Sequence, residues 1–261
     1  MRRKPLSEEY LRTHTVGELV PRSGPIRIVD YDPEWPRQFE REAARIRSAL
    51  GRRALRIEHV GSTSVPELPA KPIVDIVLVV SDSAHEDAYR PALESAGYLL
   101  RIREPEWHAH RMFKGRDTQV NLHVFSAGCP ETDRMIAFRD WLRSSAGDRE
   151  LYARAKKALA QRDWKYTQNY ADAKAAVIEE ILTKARDSGR RPADDSHAHA
   201  GPTVARGVCA PGRGNFYGTE DRACASEDGR RLKSTACTDI SWQADCSVPV
   251  RDKKSHQKGE A

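Results

Sequence analysis

His59-Val60-Gly61-Ser62-Thr63-Ser64-Val65-Pro66, followed after four residues by Lys71-Pro72-Ile73-Val74-Asp75-Ile76-Val77-Leu78, is the stretch that decides how this chain is read. Leu55–Val60 reads as a strand stopped by Gly61. Ile73–Val80, rich in Val and Ile and bounded by turn residues, reads as a buried strand. Gly61 lacks a Cβ, so its backbone can approach a ligand closely. Ser62, Thr63 and Ser64 supply short donors beside free backbone N–H groups, a combination suited to phosphate. Asp75 stands where a buried strand otherwise carries Val or Ile. A lone carboxylate there is costly unless it is paired or holds a metal ion. Two readings of Asp75 follow: a metal ligand, or a cap on the N–H groups of the Gly61–Pro66 turn.

Working outward, Ile26–Val29 is expected to be a short strand. Asp32-Pro33 marks a helix start, and Trp35, Phe39, Ala43, Ile46 and Leu50 follow at helical spacing. Ser83-Ala84-His85-Glu86 matches a capping box and predicts a helix from there to Gly97. Tyr98–Ile102 reads as a strand. His110–Lys114 and Gln119–Phe125 read as a hairpin through Gly115-Arg116-Asp117-Thr118. In its second strand Val120, Leu122 and Val124 face one way, and Gln119, Asn121, His123 and Phe125 the other. Helices follow: one with the stripe Met135, Phe138 and Leu142, then a pair at about 148–160 and 163–184. Mixed elements early and helices late predict an α+β domain, a mixed sheet with flanking helices and a C-terminal helical pair, over residues 26–186. Residues 1–25 are expected to form an arm that docks through His14, Thr15, Val16 and Leu19.

The composition fits this division. The 261 residues are 39% hydrophobic and 31% charged, and the mean hydropathy of −0.71 is polar for a compact domain. Much of that polarity lies at the C-terminal end. From Ser188 to Ala261 there are nine large apolar residues and half of the 16 glycines, with no helical or strand period. Residues 187–261 are therefore predicted to be a disordered tail. Cys209, Cys224, Cys237 and Cys246 fall there at long gaps without a C-x-x-C pair, so neither a zinc site nor a disulfide framework is expected. The net charge of +6, from 44 Lys+Arg against 38 Asp+Glu, is mild. Without a basic stripe or an array of stacking aromatics, nucleic acid is not an expected partner. The most apolar run, Pro72–Val80, is interrupted by Asp75 and too short to span a bilayer, and no apolar run follows Met1-Arg2-Arg3-Lys4-Pro5. A cytoplasmic protein without membrane contact is expected.

Val60-Gly61-Ser62, then twelve residues, then Asp75 resembles the nucleotidyltransferase superfamily, which joins a hydrophobic-Gly-Ser turn to a strand bearing Asp-x-Asp/Glu. More closely, the region from Ile26 to Arg186 resembles the GrpB family, which is also met fused to dephospho-CoA kinase. The residues that carry this likeness are Val29-Asp30-Tyr31-Asp32-Pro33-Glu34-Trp35, the two segments quoted above, and Asn121-Leu122-His123-Val124-Phe125. The resemblance implies a nucleotidyltransferase-like fold and a divalent metal (Mg, Mn or Zn). Its partner would be a nucleotide or other phosphorylated small molecule. No protein partner is assigned. The chain departs from the superfamily at the second acid, which is Val77. Two-metal phosphoryl transfer needs carboxylates for both ions, so Asp75 would recruit His123, placed where the superfamily often carries its third acid, or His59 before the turn. Histidine ligands favour Zn, Mn or Ni over Mg.

The expected site thus has Asp75 and Lys71 as catalytic residues. Gly61, Ser62, Thr63, Ser64, Lys174 and Tyr170 would hold nucleotide or phosphate, and Asp75, His123 and His59 the metal. Lys71 is fixed between Ala70 and Pro72 beside the turn. Lys174 follows Tyr170 by one helical turn, so a ring and an ammonium share a face. His123 also reads as a hydrogen-bonded core histidine, and Tyr170 as core. Lys156 is grouped with the surface basic residues, and His108 and His110 form a polar cluster without assigned use. The functions weighed are a metal-dependent nucleotidyltransferase, and a non-catalytic nucleotide- or anion-binding or accessory module linked to coenzyme A biosynthesis or protein folding.

Overall fold

The structure, a computed structural model, describes residues 6–188. The predicted tail beyond Ser188, with its four cysteines, lies outside the described residues. Helix α1 (Glu8–His14) is followed by α2 (Glu34–Leu50), β1 (Arg56–Val60), β2 (Val74–Val80), α3 (Arg90–Ser95), β3 (Tyr98–Glu104), β4 (His110–Gly115) and β5 (Val120–Ser126). Four helices close the order: α4 (Pro130–Ser144), α5 (Ala146–Ala160), α6 (Thr167–Ala173) and α7 (Ala175–Ser188). This is the α+β class that the sequence predicts. Among the described residues no helix is long and apolar enough to cross a membrane.

The five strands form one mixed sheet in the order β1-β2-β5-β4-β3. The central pair, β2 and β5, is parallel, and the other pairs are antiparallel. Alternation gives each strand two faces. On one face Val74, Ile76, Leu78, Leu122 and Val124 pack against Trp35, Ile46 and Leu50 of α2 and Leu93 of α3. On the other, Val60, Val77, Val79, Met112 and Phe125 meet Leu11 of α1, Met135 of α4 and Tyr166. Both faces are covered, which is why β2 reads as a nearly continuous apolar run. Val65 and Leu68, from the segment between β1 and β2, join a third core with α4, α5 and α7. The β1–β2 connection is thereby wedged between the sheet and the helical flank.

The helix starts one residue later than expected, with Pro33 at the N-cap position, and Asp32 just outside it still accepts the Glu34 backbone N–H on its Oδ1 at 2.8 Å. Asp32→Ala is expected to cost about 1 kcal/mol. For a domain of this size that lowers the melting temperature by roughly 2–4 °C, measurable by circular dichroism.

Three expectations are corrected. Ile26–Val29 is not a strand but one bridge, with reciprocal 2.8 Å hydrogen bonds between Val29 and Ala70. The partner segment is bounded by Pro69 and Pro72, which have no N–H to extend a ladder. The capping box at Ser83 does not start a helix. The Ser83 hydroxyl bonds the Ala109 carbonyl and the Ser126 hydroxyl instead, and Glu86 pairs with Arg103 and Arg111. Helix α3 begins at Arg90, with Pro91 in its first turn, where proline is tolerated. The helix predicted over 163–184 is two helices, α6 and α7, meeting at Lys174.

Candidate functional site

The turn after β1 is a single 3-10 turn, Ser62–Ser64, entered through Gly61 at φ 70° and ψ −173°. That conformation is essentially reserved for glycine. A Cβ at Gly61 would lie 2.4 Å from Asp75 Oδ2, so the missing side chain is what lets the carboxylate approach. The turn is braced from behind. Ser64 Oγ donates to the Gly61 carbonyl at 2.6 Å. From α4, Arg143 donates to the Ser64 carbonyl at 3.0 and 2.8 Å, and Arg139 to the His59 carbonyl at 2.9 Å.

Asp75 stands in register with Val60 on one side and Asn121 on the other. Asn121 Nδ2 donates to its Oδ1 at 2.8 Å, so the carboxylate is held from the neighbouring strand. Val77, on the same face two residues on, is fully buried in apolar contacts, where a second acid would have no solvent. The parallel register places His123 directly beside it. His123 is fully buried, and its Nε2 lies 3.8 Å from Asp75 Oδ1 without a hydrogen-bond partner. Its Nδ1 is 3.1 Å from His110 Nε2, and His110 Nδ1 is 2.8 Å from Glu104 Oε2. Burial pulls His110 down to about 4, so this ring is neutral near pH 7.

His59 lies elsewhere. Its ring stacks on Phe39 of α2 at 4.9 Å, and its Nε2 is 3.1 Å from Thr63 Oγ1. It faces the α2 side of the sheet, so the structure does not bring it alongside His123. Burial lowers its pKa to about 4, with Asp75 acting in the opposite direction. It serves as a neutral support for the turn.

In front of Asp75 opens a cleft of about 330 Å³, its open mouth included. Ser62, Thr63, Lys71, Asp75, Lys156, Tyr170 and Lys174 line it. The Lys174 and Lys71 ammonium groups lie 4.8 and 5.8 Å from the centre of the Tyr170 ring, within reach of its electron-rich face. Lys174 is 4% exposed. Ser64 supports the turn from inside, whereas His123 sits behind Asp75 and does not line the cleft.

Lys156 reads in the sequence as a surface lysine, but the structure buries it. It is 1% exposed, its ammonium lies 4.8 Å from the Tyr152 ring, and it donates to the Pro69 carbonyl. The spacing Tyr152–Lys156 repeats Tyr170–Lys174 and carries the same signal. Burial, then the neighbouring Lys174 and Lys157, push its pKa well below the usual lysine range. Between that lowered value and the ordinary one near 10.5 the unfolded chain holds more protons, so stability rises with pH through this window. Lys156→Met is expected to raise the melting temperature near neutral pH and to flatten this dependence. It should also weaken phosphate binding. Melting curves across pH, with and without inorganic phosphate, check all three.

Among the described residues no group of three or more His, Cys, Asp and Glu side chains is arranged to hold a metal ion. The donors that converge are Asp75 Oδ1 and His123 Nε2. The buried His123 nitrogen has no hydrogen-bond partner and faces the Asp75 carboxylate from behind, away from the cleft.

The family model described as "GrpB protein" matches residues 25–184. A UPF0157 protein of Halalkalibacterium halodurans is 59% identical over 181 residues, covering 69% of this chain and 93% of that protein. The crystal structure of conserved protein GrpB from Enterococcus faecalis superposes with a TM-score of 0.56 at 32% identity, covering 63% of this chain and 100% of that one. A dephospho-CoA kinase of Mycolicibacterium paratuberculosis is 32% identical over 197 residues, covering 65% of this chain and 46% of that protein.

Proposed function

The chain belongs to the GrpB family, and from that premise we propose that it is a divalent-metal-dependent nucleotidyltransferase that takes a nucleoside triphosphate in the lysine-lined cleft. One observation carries this reading: residues from five separate segments, Ser62 and Thr63, Lys71, Asp75, Lys156, and Tyr170 with Lys174, converge on a single cleft. Gly61 lets phosphate approach the backbone, and Ser62 and Thr63 offer hydroxyl donors. Lys71, Lys156 and Lys174 take up charge as pyrophosphate leaves. The Tyr170 ring is 1% exposed and packed with Ile26 and Ala160, so it would serve by holding the Lys174 and Lys71 ammonium groups rather than by stacking a base. Asp75 with His123 would hold the ion, which when bound neutralises phosphate charge and polarises the phosphorus under attack.

The test is a thermal-shift panel of every nucleoside triphosphate with Mg²⁺, Mn²⁺ or Zn²⁺, followed by mass spectrometry of each responding mixture. Dephospho-CoA and coenzyme A belong in the panel because of the kinase that aligns with this chain. A stabilising nucleotide that is consumed with release of pyrophosphate is the expected result. No shift with any nucleotide ends the proposal. Val77 in place of a second acid favours one other reading, a nucleotide-binding module without turnover. Its signature is the same shift with the nucleotide recovered unchanged.

A further inference from the structure

Lys156 lines the cleft yet is 1% exposed, and the proposed phosphate chemistry makes no use of its lone pair. Its amine lies 4.8 Å from the centre of the Tyr152 ring and donates to the Pro69 carbonyl, next in the chain to Ala70 and Lys71 of the cleft wall. Lys174, itself 4% exposed, lines the same cleft. Two lysines buried at one cleft repel each other as ammonium ions, and each loses hydration there. Lys156 shows the result: burial first, then Lys174 and Lys157, hold its pKa well below the usual lysine range. An ordinary lysine near pH 7 is neutral only about once in a few thousand. A lysine that is desolvated or set beside another cation is a nucleophilic amine instead. Around it stand the Ser62 and Thr63 hydroxyls and the Lys71 and Lys174 ammonium groups, a set that suits one phosphate group.

We propose that Lys156 is a reactive centre: its amine forms an imine with an aldehyde that carries a phosphate group, while Lys71, Lys174, Ser62 and Thr63 hold the phosphate. The Lys156 nitrogen attacks the aldehyde carbon and forms the N–C bond. The two amine hydrogens leave with the carbonyl oxygen as water, and nothing is oxidised or reduced. A phosphate monoester carries a charge of about −1.5 to −2, which the Lys71 and Lys174 ammonium groups balance. The Lys156 lone pair then stays available. A nucleoside triphosphate carries more charge and draws a proton back to Lys156, so the two ligands use the cleft in different protonation states. The inference does not depend on nucleotide turnover.

The probes are pyridoxal phosphate and glyceraldehyde phosphate, each beside its unphosphorylated counterpart, added to the full chain at limiting concentration near pH 7. Borohydride then reduces the imine to a stable amine, and mass spectrometry of peptides locates the label. Lys156 is expected to carry at least about ten times the label of the exposed Lys157, since each unit by which a lysine pKa falls multiplies its neutral fraction by about ten. Inorganic phosphate should slow the reaction, and Lys71→Met should remove the advantage of the phosphorylated aldehydes. Lys156→Arg, which keeps a cation, and Lys156→Met, which keeps the apolar stem, should both lose the label at this position and the imine absorbance of the pyridoxal adduct. Should neither variant fold, the position of the label in wild type decides the matter. Reaction with either phosphorylated aldehyde supports the inference, and the one preferred reports the carbon skeleton that fits. A label that follows exposure, that settles on Lys71 or Lys174 instead, that ignores inorganic phosphate, or that forms equally with unphosphorylated aldehydes overturns it. A chain labelled at Lys156 that responds to no nucleotide keeps this inference and loses the proposed function. A chain that turns over nucleotide without label at Lys156 does the reverse.

Discussion

Asp75→Asn is expected to stop product formation while the chain still folds and still binds nucleotide. The two side chains have the same shape. The amide oxygen of the variant can accept from Asn121 Nδ2 as the carboxylate does at 2.8 Å, so the strand pairing and the contact with Gly61 keep their geometry. What disappears is the negative charge facing His123 and the cleft. Without it the charge-bearing half of the proposed metal site is gone. Turnover should fall by about 10²–10³-fold or more, the scale seen when one electrostatic stabiliser is removed. The cleft meanwhile keeps its three lysines and loses the carboxylate that opposes them. Nucleotide added without metal should therefore stabilise the variant at least as well as wild type. Pyrophosphate release and thermal shift, measured on the same preparation, separate the two effects. Equal turnover in both proteins would remove Asp75 from the chemistry. A much lower melting temperature with no nucleotide response would make it structural.

Gly61→Ala should give the largest loss of stability of any single methyl group added at the site. Its backbone, at φ 70° and ψ −173°, is in a region that residues with a Cβ avoid, at a cost of about 1–3 kcal/mol. The new methyl would also lie 2.4 Å from Asp75 Oδ2 and 3.0 Å from Asp75 Cβ. Neither neighbour is free to retreat: Asp75 is held by Asn121, and the turn by Arg143 and Ser64. A melting temperature lower by roughly 5–10 °C follows from that strain for a domain of this size. Nucleotide response should be lost as well, because the carboxylate or the hydroxyl turn must shift. Gly128→Ala, where nothing lies within 4 Å despite φ 75°, is the control for backbone strain alone. If the two variants melt together, the contact with Asp75 contributes nothing.

Much of this site was legible in the sequence because its parts are local. The Gly61–Ser64 turn, the acid at Asp75, the lysine before Pro72 and the Tyr170–Lys174 pair each announce themselves over a few residues. The partners that fix them do not. Asn121 reaches Asp75 only through the parallel β2–β5 register, and a register is not written in either strand alone. Arg139 and Arg143 look like ordinary exposed positions of α4 until the turn is found beneath them. Lys156 reads as surface because a buried lysine runs against the general rule, although its spacing from Tyr152 carries the signal. The pairing of His110 with His123 needed the β4–β5 hairpin to be closed and both faces of the sheet to be covered. His59, two residues before Gly61, reads as a neighbour of Asp75 by proximity in sequence, whereas strand alternation sends it to the α2 side.

The parallel pairing at the centre of the sheet also bears on how the protein comes into being. Asp75 and its strand partner Asn121 are 46 residues apart, and the arginine that clasps the turn is 79 residues from Ser64. Contacts of such long sequence separation are slow to form, because the chain between them must be closed first. Hairpins β3–β4 and β4–β5 can assemble early from near neighbours, but β1 and β2 must join through β5, and α4 must then close over the turn. The cleft is consequently among the last features to mature, so nucleotide response in a refolding experiment should lag behind helical signal and arrive with the final tertiary phase.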